Sequence, residues 1–236
     1  MLGSVQVQQN PHCDRNGMEF AFVQGMTHEL TEFPDMHALV LNCTLKSSPQ
    51  ASNTEALASV VMAALETQGV TTDIVRMVDF NIKPGVSFDE GDGDQWPQIH
   101  RQILAAEILI IATPTWLARP CSIAQRVLER MDAMLSETDD DKRPVAYNHV
   151  AGVVVTGNED GAHHVIGEIS GALGDIGFTV PGQAWTYWNM GPGPGPSYLD
   201  TDQGHEWSHR TARMAAGNLA AVARALSCTP IPAPGD

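Results

Sequence analysis

Residues 38–54 read ALVLNCTLKSSPQASNT, a compact apolar run followed by a turn rich in hydroxyl and amide side chains. The apolar run at 38–43 predicts a strand, and an amphipathic helical pattern begins after the turn. The first backbone N–H groups of a helix have no partner inside it, and the helix dipole favours negative charge at that end. A strand that turns directly into a helix in this way predicts an anion site.

The composition of this turn favours a single terminal phosphate. It contains no glycine, so it matches neither the P-loop pattern G-x-x-x-x-G-K-[ST] nor the Rossmann pattern G-x-G-x-x-G. Hydroxyl, amide and lysine donors suit a phosphate monoester such as riboflavin 5′-phosphate (FMN). The candidate donors are Thr44, Lys46, Ser47, Ser52, Asn53 and Thr54. The alternative is an ordinary helix cap that binds no ligand.

The composition limits the classes of partner. With 236 residues and 43% hydrophobic content, the chain is long enough for one substantial α/β domain. Its formal net charge of −15 disfavours nucleic acid and anionic membranes as partners. Four scattered cysteines and the lack of an apolar signal segment predict a cytoplasmic protein. No apolar run approaches the roughly 20 residues of a membrane span.

Strand and helix patterns alternate between an N-terminal extension at 1–36 and a flexible, proline-rich tail at 229–236. The predicted strands are 38–43, 72–77, 108–113, 150–156 and a segment within 178–187. The predicted helices are 54–68, 97–106, 120–135, one that ends at Gly177, and 206–226. Pro120 suits a first helical position, and Leu135 is expected on the inner face of its helix. This alternation predicts a parallel sheet between two helical layers, in a domain spanning 37–228.

An acidic, glycine-containing loop follows the second predicted strand, at 79–94. Asp89, Asp92 and Asp94 resemble calcium ligands, but the spacing of a calcium-binding loop is absent. We therefore predict a solvated acidic loop without a metal.

Two further loops are expected beside the phosphate turn, because ligands of parallel α/β sheets bind beyond the carboxyl ends of the strands. The loop after the third strand offers a restrained backbone and an aromatic face for a flat ring. Its candidates are Pro114, Thr115, Trp116 and Leu117. The loop after the fourth strand combines an amide with glycines that permit close backbone approach. Its candidates are Thr156, Gly157, Asn158 and Gly161.

These loops resemble those of the NADPH-dependent FMN reductase family in the flavodoxin-like superfamily. The resemblance is carried by LNCTLKSSPQASNT at 41–54, AEILIIATPTW at 106–116 and VVVTGNEDGAHH at 153–164. It covers roughly residues 37–226 and implies a flavodoxin-like three-layer sandwich with a five-stranded parallel sheet in the order 2-1-3-4-5. It also implies non-covalent FMN, with its phosphate in the first loop and its ring between the other two.

The resemblance further implies an enzyme that passes electrons from NADPH or NADH through FMN to a quinone, a flavin or a similar small acceptor. Members of the family are usually homodimers or homotetramers. No catalytic side chain is predicted, because FMN carries the hydride chemistry. Related iron–sulfur flavoproteins have a cysteine cluster after the second strand, whereas residues 80–85 contain no cysteine, so no such centre is expected. A non-enzymatic flavodoxin-type electron carrier is the alternative.

Residues 205–209 spell H-E-x-x-H, the zinc-protease signature, with His205 and His209 on one helical face. No third ligand is evident nearby, and a parallel sheet is not the scaffold of that class. A zinc hydrolase is therefore a remote third alternative, and no metal site is predicted. His163 and His164 are expected at a helix start, with a role near the flavin left open.

Overall fold

The computed structural model describes residues 35–234 and contains one central sheet. Its parallel strands are β1 (Met36–Asn42), β2 (Val70–Arg76), β3 (Ile108–Trp116), β5 (Val150–Thr156) and β6 (Trp185–Trp188). A two-residue strand, β4 (Arg119–Pro120), pairs antiparallel with the end of β3. The parallel strands lie in the order β2-β1-β3-β5-β6. Counting these strands alone, the order is 2-1-3-4-5, so the predicted flavodoxin-like sandwich is confirmed.

Helices cover both faces of the sheet. The side chains of a strand alternate between the two faces, and here both faces carry apolar side chains that the helices bury. The helices are α1 (Asn53–Glu66), α2 (Trp96–Ala105), α3 (Ser122–Met131), α4 (Ala162–Ile176) and α5 (His205–Cys228). On β1, Ala38 and Val40 pack with the buried faces of α1 and α5. Leu39 and Leu41 pack with α2, α3 and α4 on the other face. The sheet is therefore the middle layer of three.

The ends of the helices follow local rules. Ser52 caps α1, and its Oγ accepts a hydrogen bond of 3.1 Å from the backbone N–H of Glu55. The helix α4 ends at Gly177, whose φ of +116° is left-handed. Among residues 35–234, no helix is both long and apolar enough to cross a membrane.

The segment predicted as one helix at 120–135 differs from the prediction. Pro120 lies in β4 and pairs with Thr115, so α3 begins only at Ser122. The helix ends at Met131 and continues as a 3-10 turn, Asp132–Ser136. This change of pitch moves Leu135 off the inner face, and 56% of the residue is exposed. The predicted inward position of Leu135 was therefore wrong.

The prediction that the acidic loop is solvated was also wrong in one part. The side chain of Asp94 is fully buried against the fully buried Arg130, with Oδ2 at 2.8 Å from Nη1. Burial alone would raise the pKa of Asp94, but hydrogen bonds from the Glu90 backbone, the Arg130 guanidinium and two further backbone N–H groups lower it to about 2. This acidic residue therefore ties the loop to α3.

The predicted extension lies almost wholly outside the described residues, although Met36 is the first residue of β1. At the other end, residues 229–234 follow α5 without helical structure. Within this tail the backbone N–H of Ile231 donates to Asn148 Oδ1 at 2.6 Å. The flexibility of the complete tail stays a prediction.

Candidate functional site

A cleft opens at the carboxyl ends of β1, β3, β5 and β6. This is the edge at which parallel α/β sheets bind ligands. The cleft is lined by Thr44, Leu45, Lys46, Asn53, Thr54, Pro114, Thr115, Trp116, Thr156, Gly157, Asn158, Trp188, Ser197 and Tyr198. All three loops predicted from the sequence therefore meet in one place.

The first wall of the cleft is the loop at 44–54 between β1 and α1. The backbone N–H of Thr44 donates to Asn42 Oδ1 at 3.1 Å, and that of Lys46 donates to Thr44 Oγ1 at 3.3 Å. The ammonium of Lys46 donates a hydrogen bond of 3.2 Å to the carbonyl oxygen of Ala51, near the end of the same loop. The loop thus brings hydroxyl groups, the start of α1 and one positive charge together.

Side chains that follow β2 hold this loop from outside. The carboxylate of Asp79 accepts from both the backbone N–H of Ser48, at 3.0 Å, and its hydroxyl, at 2.5 Å. These hydrogen bonds lower the pKa of Asp79, and the charge of Arg76 contributes in the same direction. The tip of the loop is therefore fixed to the 3-10 turn that follows β2, Met77–Asp79.

The second wall is the hairpin formed by β3, Leu117, Ala118 and β4. Leu117 and Ala118 have φ values of +52° and +58°, a left-handed backbone conformation that residues other than glycine rarely adopt. The backbone N–H of Leu117 donates to Glu159 Oε1 at 2.6 Å, which holds this turn in place. Trp116, 52% exposed, lies at the base of the turn and lines the cleft.

The third wall is the loop at 156–161 after β5. The hydroxyl groups of Thr156 and Thr54 lie 2.8 Å apart, so this wall is joined to the start of α1. A Cβ on Gly157 would lie 3.1 Å from the carbonyl oxygen of Glu159 and 3.2 Å from Thr115 Cβ. These contacts would be tighter than most that a Cβ makes, so a glycine at this position lets the backbone pass close to Thr115 and Glu159 without displacing them.

Most of the predicted site residues line this cleft. They are Thr44, Lys46, Asn53, Thr54, Pro114, Thr115, Trp116, Thr156, Gly157 and Asn158. Four others lie beside it. Ser52 caps α1, Ser47 is exposed in the loop, Leu117 is 87% exposed at the hairpin tip, and Gly161 is the N-cap residue before α4.

Four lining residues were missed from the sequence: Leu45, Trp188, Ser197 and Tyr198. Trp188 ends β6, so its place at the carboxyl edge of the sheet was an available signal. Ser197 and Tyr198 belong to a turn that follows the Gly-Pro repeat, where the sequence carries no such signal. This turn is held at α1, because the backbone N–H of Leu199 donates to Asn53 Oδ1 at 3.1 Å.

Tyr198 also explains the H-E-x-x-H motif. The ring of His205 stacks on the Tyr198 ring with centroids 4.0 Å apart, and His209 Nε2 lies 2.7 Å from the Tyr198 hydroxyl. The pKa of His209 is lowered, first by burial and then by the charges of the neighbouring His205 and Arg213. The pKa of the Tyr198 hydroxyl is raised by burial. Within residues 35–234, no group of three or more His, Cys, Asp or Glu side chains is arranged to hold a metal.

His163 and His164 lie in the first turn of α4, as expected. The ring of His163 contacts the edges of Trp185 and Tyr187 on β6, with centroids 5.2 and 5.0 Å away. Neither histidine lines the cleft.

Comparison with known proteins gives two relatives of similar identity. The chain is 37% identical over 206 residues to 8-demethyl-8-aminoriboflavin-5′-phosphate synthase of Streptomyces davaonensis, covering 83% of this chain and 80% of that protein. It is 35% identical over 201 residues to the divalent metal cation transporter MntH of Mycobacterium bovis, covering 82% of this chain. The match spans only 29% of the MntH chain.

A solved structure and a family pattern agree with the geometry. The crystal structure of RosB with bound 8-demethyl-8-formylriboflavin-5′-phosphate superposes with a TM-score of 0.77 at 36% identity, covering 83% of this chain and 82% of RosB. The sequence pattern of NADPH-dependent FMN reductases matches residues 36–192. With its strand order and its three converging loops, this chain belongs to the NADPH-dependent FMN reductase family.

Proposed function

We propose that the cleft binds FMN and that the chain is an FMN-dependent oxidoreductase, taking electrons from NADPH or NADH and passing them to a quinone, a flavin or a similar small acceptor. The observation that carries this proposal is the meeting of three chemically different loops in one cleft. One loop offers hydroxyl groups and a helix start, one an aromatic side chain, and one a closely approaching backbone.

The phosphate of FMN fits the start of α1. Helix N-termini attract phosphate because their N–H groups lack partners inside the helix. Thr44, Lys46 and Thr54 line this end of the cleft and supply further donors. Ser52 Oγ accepts the cap hydrogen bond of α1, which leaves its O–H group available to donate to the phosphate.

The ring of FMN fits between the hairpin and the loop at 156–161. Thr115 Oγ1 is buried there without a hydrogen-bond partner, and buried hydroxyl groups are rarely left unsatisfied. A polar edge of a flavin in the cleft would supply that partner. Trp116 offers an exposed aromatic surface for the face of the ring.

FMN, when bound, supplies the hydride and electron chemistry. The chain's own residues bind the phosphate at α1, orient the ring between two walls and exclude water from its buried side. No side chain needs to transfer a proton for these tasks.

We also propose that the protein acts in the cytoplasm and forms a homodimer or homotetramer. Light scattering of the purified protein measures its mass in solution and tests the oligomeric state.

A second candidate is an enzyme that alters the flavin itself. The identity of 37% to a protein named for making an 8-amino flavin phosphate favours it, as does the 8-formyl flavin phosphate bound in RosB. In that case FMN would be a substrate and would leave the cleft as a product.

One experiment separates the two candidates. The purified protein is loaded with FMN and mixed with NADH or NADPH and a soluble quinone, and nicotinamide oxidation is followed. A parallel sample receives dioxygen and a mixture of amino acids as the source of nitrogen. The released flavin is then identified by mass spectrometry. Rapid turnover with unchanged FMN supports the oxidoreductase, whereas a flavin of altered mass supports the second candidate. Tight FMN binding without turnover would indicate a flavodoxin-type carrier, and failure to bind FMN would overturn all three.

A further inference from the structure

Glu55 occupies a position that is electrostatically unfavourable for a phosphate site. It is the third residue of α1, in the first turn of the helix whose N-terminus faces the cleft. A carboxylate there is stabilised by the same helix dipole that would attract a phosphate, and it repels a dianion nearby. Such a residue needs a structural reason to stand beside a phosphate site.

The contacts of Glu55 supply that reason. Its Oε2 accepts hydrogen bonds from Asn42 Nδ2 at 2.8 Å and from Arg76 Nε at 3.1 Å, and also from Arg76 Nη2. The Arg76 side chain is 12% exposed and that of Glu55 36%, so the ion pair is shielded from solvent on the arginine side only. One carboxylate oxygen therefore joins β1, β2 and α1.

Arg76 and Asn42 extend these contacts into the loop at 44–54. Arg76 Nη1 donates to the carbonyl oxygen of Gln50 at 2.8 Å and to that of Lys46 at 3.4 Å. Asn42, fully buried, accepts from the backbone N–H of Thr44 at 3.1 Å. The loop is thus held near its beginning, along its middle and at the helix that follows it.

We propose that Glu55, Arg76 and Asn42 are positioning residues that hold the glycine-free loop at 44–54 in its phosphate-binding shape. This inference rests on the proposed binding of FMN. Donors that are already oriented lose little entropy when the ligand arrives, so their arrangement contributes directly to affinity. The negative charge of Glu55 is tolerated because Arg76 offsets it.

Two explanations of Glu55, charge repulsion of the phosphate and positioning of the loop, predict opposite changes in FMN affinity when its side chain is removed. If only charge mattered, Glu55→Ala would bind the FMN dianion more tightly, because a repelling carboxylate is gone. If positioning dominates, the same substitution weakens FMN binding, because Arg76 and Asn42 lose their shared partner. Riboflavin, which has the same ring but no phosphate, reports on the rest of the cleft.

The experiment measures the dissociation constants of FMN and riboflavin by quenching of flavin fluorescence. We expect Glu55→Ala to weaken FMN binding about tenfold while riboflavin changes less than about twofold. Glu55→Gln keeps an oxygen for Asn42 and Arg76 without the charge, so it should restore most of the FMN affinity. Asp139→Ala, which breaks the Arg143 ion pair away from the cleft, is the matched control and should change neither constant.

Arg76→Lys provides an independent variant if Glu55→Ala does not fold. Lysine keeps the charge but cannot reach Glu55 and two carbonyl groups together, so FMN binding should again weaken selectively. The inference is overturned if FMN binds Glu55→Ala as tightly as wild type or tighter, or if Arg76→Lys leaves the ratio of the two constants unchanged. Wild-type protein that binds no FMN would instead overturn the proposed function.

Discussion

Two of the three walls of the cleft, the loop at 44–54 and the hairpin, reach a fixed shape by different means. The loop at 44–54 contains no glycine and no residue of positive φ, and it is held by side chains such as Arg76 and Asp79. The hairpin after β3 depends instead on left-handed backbone at Leu117 and Ala118, packed closely on Gly161. The first wall is therefore sensitive to lost hydrogen bonds, and the second to added volume.

The difference suggests a division of tasks. Phosphate is small and strongly charged, so a site for it gains most from donors held at fixed distances. A flat ring presents a large surface, so its site gains most from the shape of the backbone around it. Each wall can then be damaged without the other, and the following predictions test this separation.

The largest effect is expected from Gly161→Ala on the hairpin side. The new Cβ would lie 2.5 Å from Ala118 Cβ, and φ at Gly161 is +103°. We expect a loss of about 3 kcal/mol in the free energy of unfolding, from overlap and backbone strain together. Urea unfolding measures this change. Gly167→Ala in the same helix meets nothing within 4 Å and should not destabilise the protein, so a similar loss there would contradict the explanation.

Acid should lower the stability of the protein through a group outside both walls. Asp94 pairs with Arg130 of α3 and does not line the cleft. The pKa of Asp94 is lowered to about 2 in the folded protein. Its carboxylate therefore stabilises the fold fully at pH values above the ordinary pKa of an aspartate, about 4. As pH falls from about 4 towards 2, protonation leaves the buried Arg130 with carbonyl partners only and without its counter-charge, and about 2 kcal/mol of stability is lost. Urea unfolding at several pH values should show this loss in wild type and much less of it in Asp94→Asn.

Removing two hydroxyl groups from the phosphate wall should have an intermediate effect. Ser52→Ala with Thr54→Ala deletes the cap of α1 and the hydroxyl that meets Thr156. We expect about 1.5 kcal/mol of destabilisation and a marked loss of FMN retention. Thermal unfolding and FMN titration measure the two effects. Wild-type FMN affinity in this double variant would show that the loop at 44–54 is not the phosphate site.

The smallest effect on stability, about 1 kcal/mol, is expected from Glu159→Ala. This substitution removes the acceptor of the Leu117 N–H and releases the hairpin. The affinities for FMN and for riboflavin should then fall by the same factor, whereas Glu55→Ala should lower mainly the affinity for FMN. Adding Ala118→Gly, which relieves the left-handed strain, should recover part of the loss. A change confined to FMN would contradict the separation of the two walls.

Much of the fold was predictable because buried parallel strands are continuous apolar runs. Residues 150–156 were placed without error, since this strand is covered on both faces. The end of α3 was not predictable from periodicity, because a helix and a 3-10 turn share similar spacing over one turn. The burial of Asp94 was missed because its partner, Arg130, lies 36 residues later in the chain.

The site was predictable where one loop carries its own chemistry. Hydroxyl groups before a helix, an aromatic after a strand and paired glycines are all visible locally. Arg76 and Tyr198 were not recognised, because each acts on the cleft from a distant segment. The left-handed turn at Leu117 and Ala118 was also invisible, since neither residue is one that favours this conformation.

The two tryptophans of the cleft give the protein its own optical probes. Trp116 is half exposed on the hairpin, whereas Trp188 is buried at the end of β6. An indole in water emits at longer wavelength than one in an apolar interior, and a nearby flavin absorbs the light of both. Ligand arrival could therefore be followed without a label. Because Trp207 is also exposed, the part of the dimming that disappears in Trp116→Phe would report contact with the hairpin.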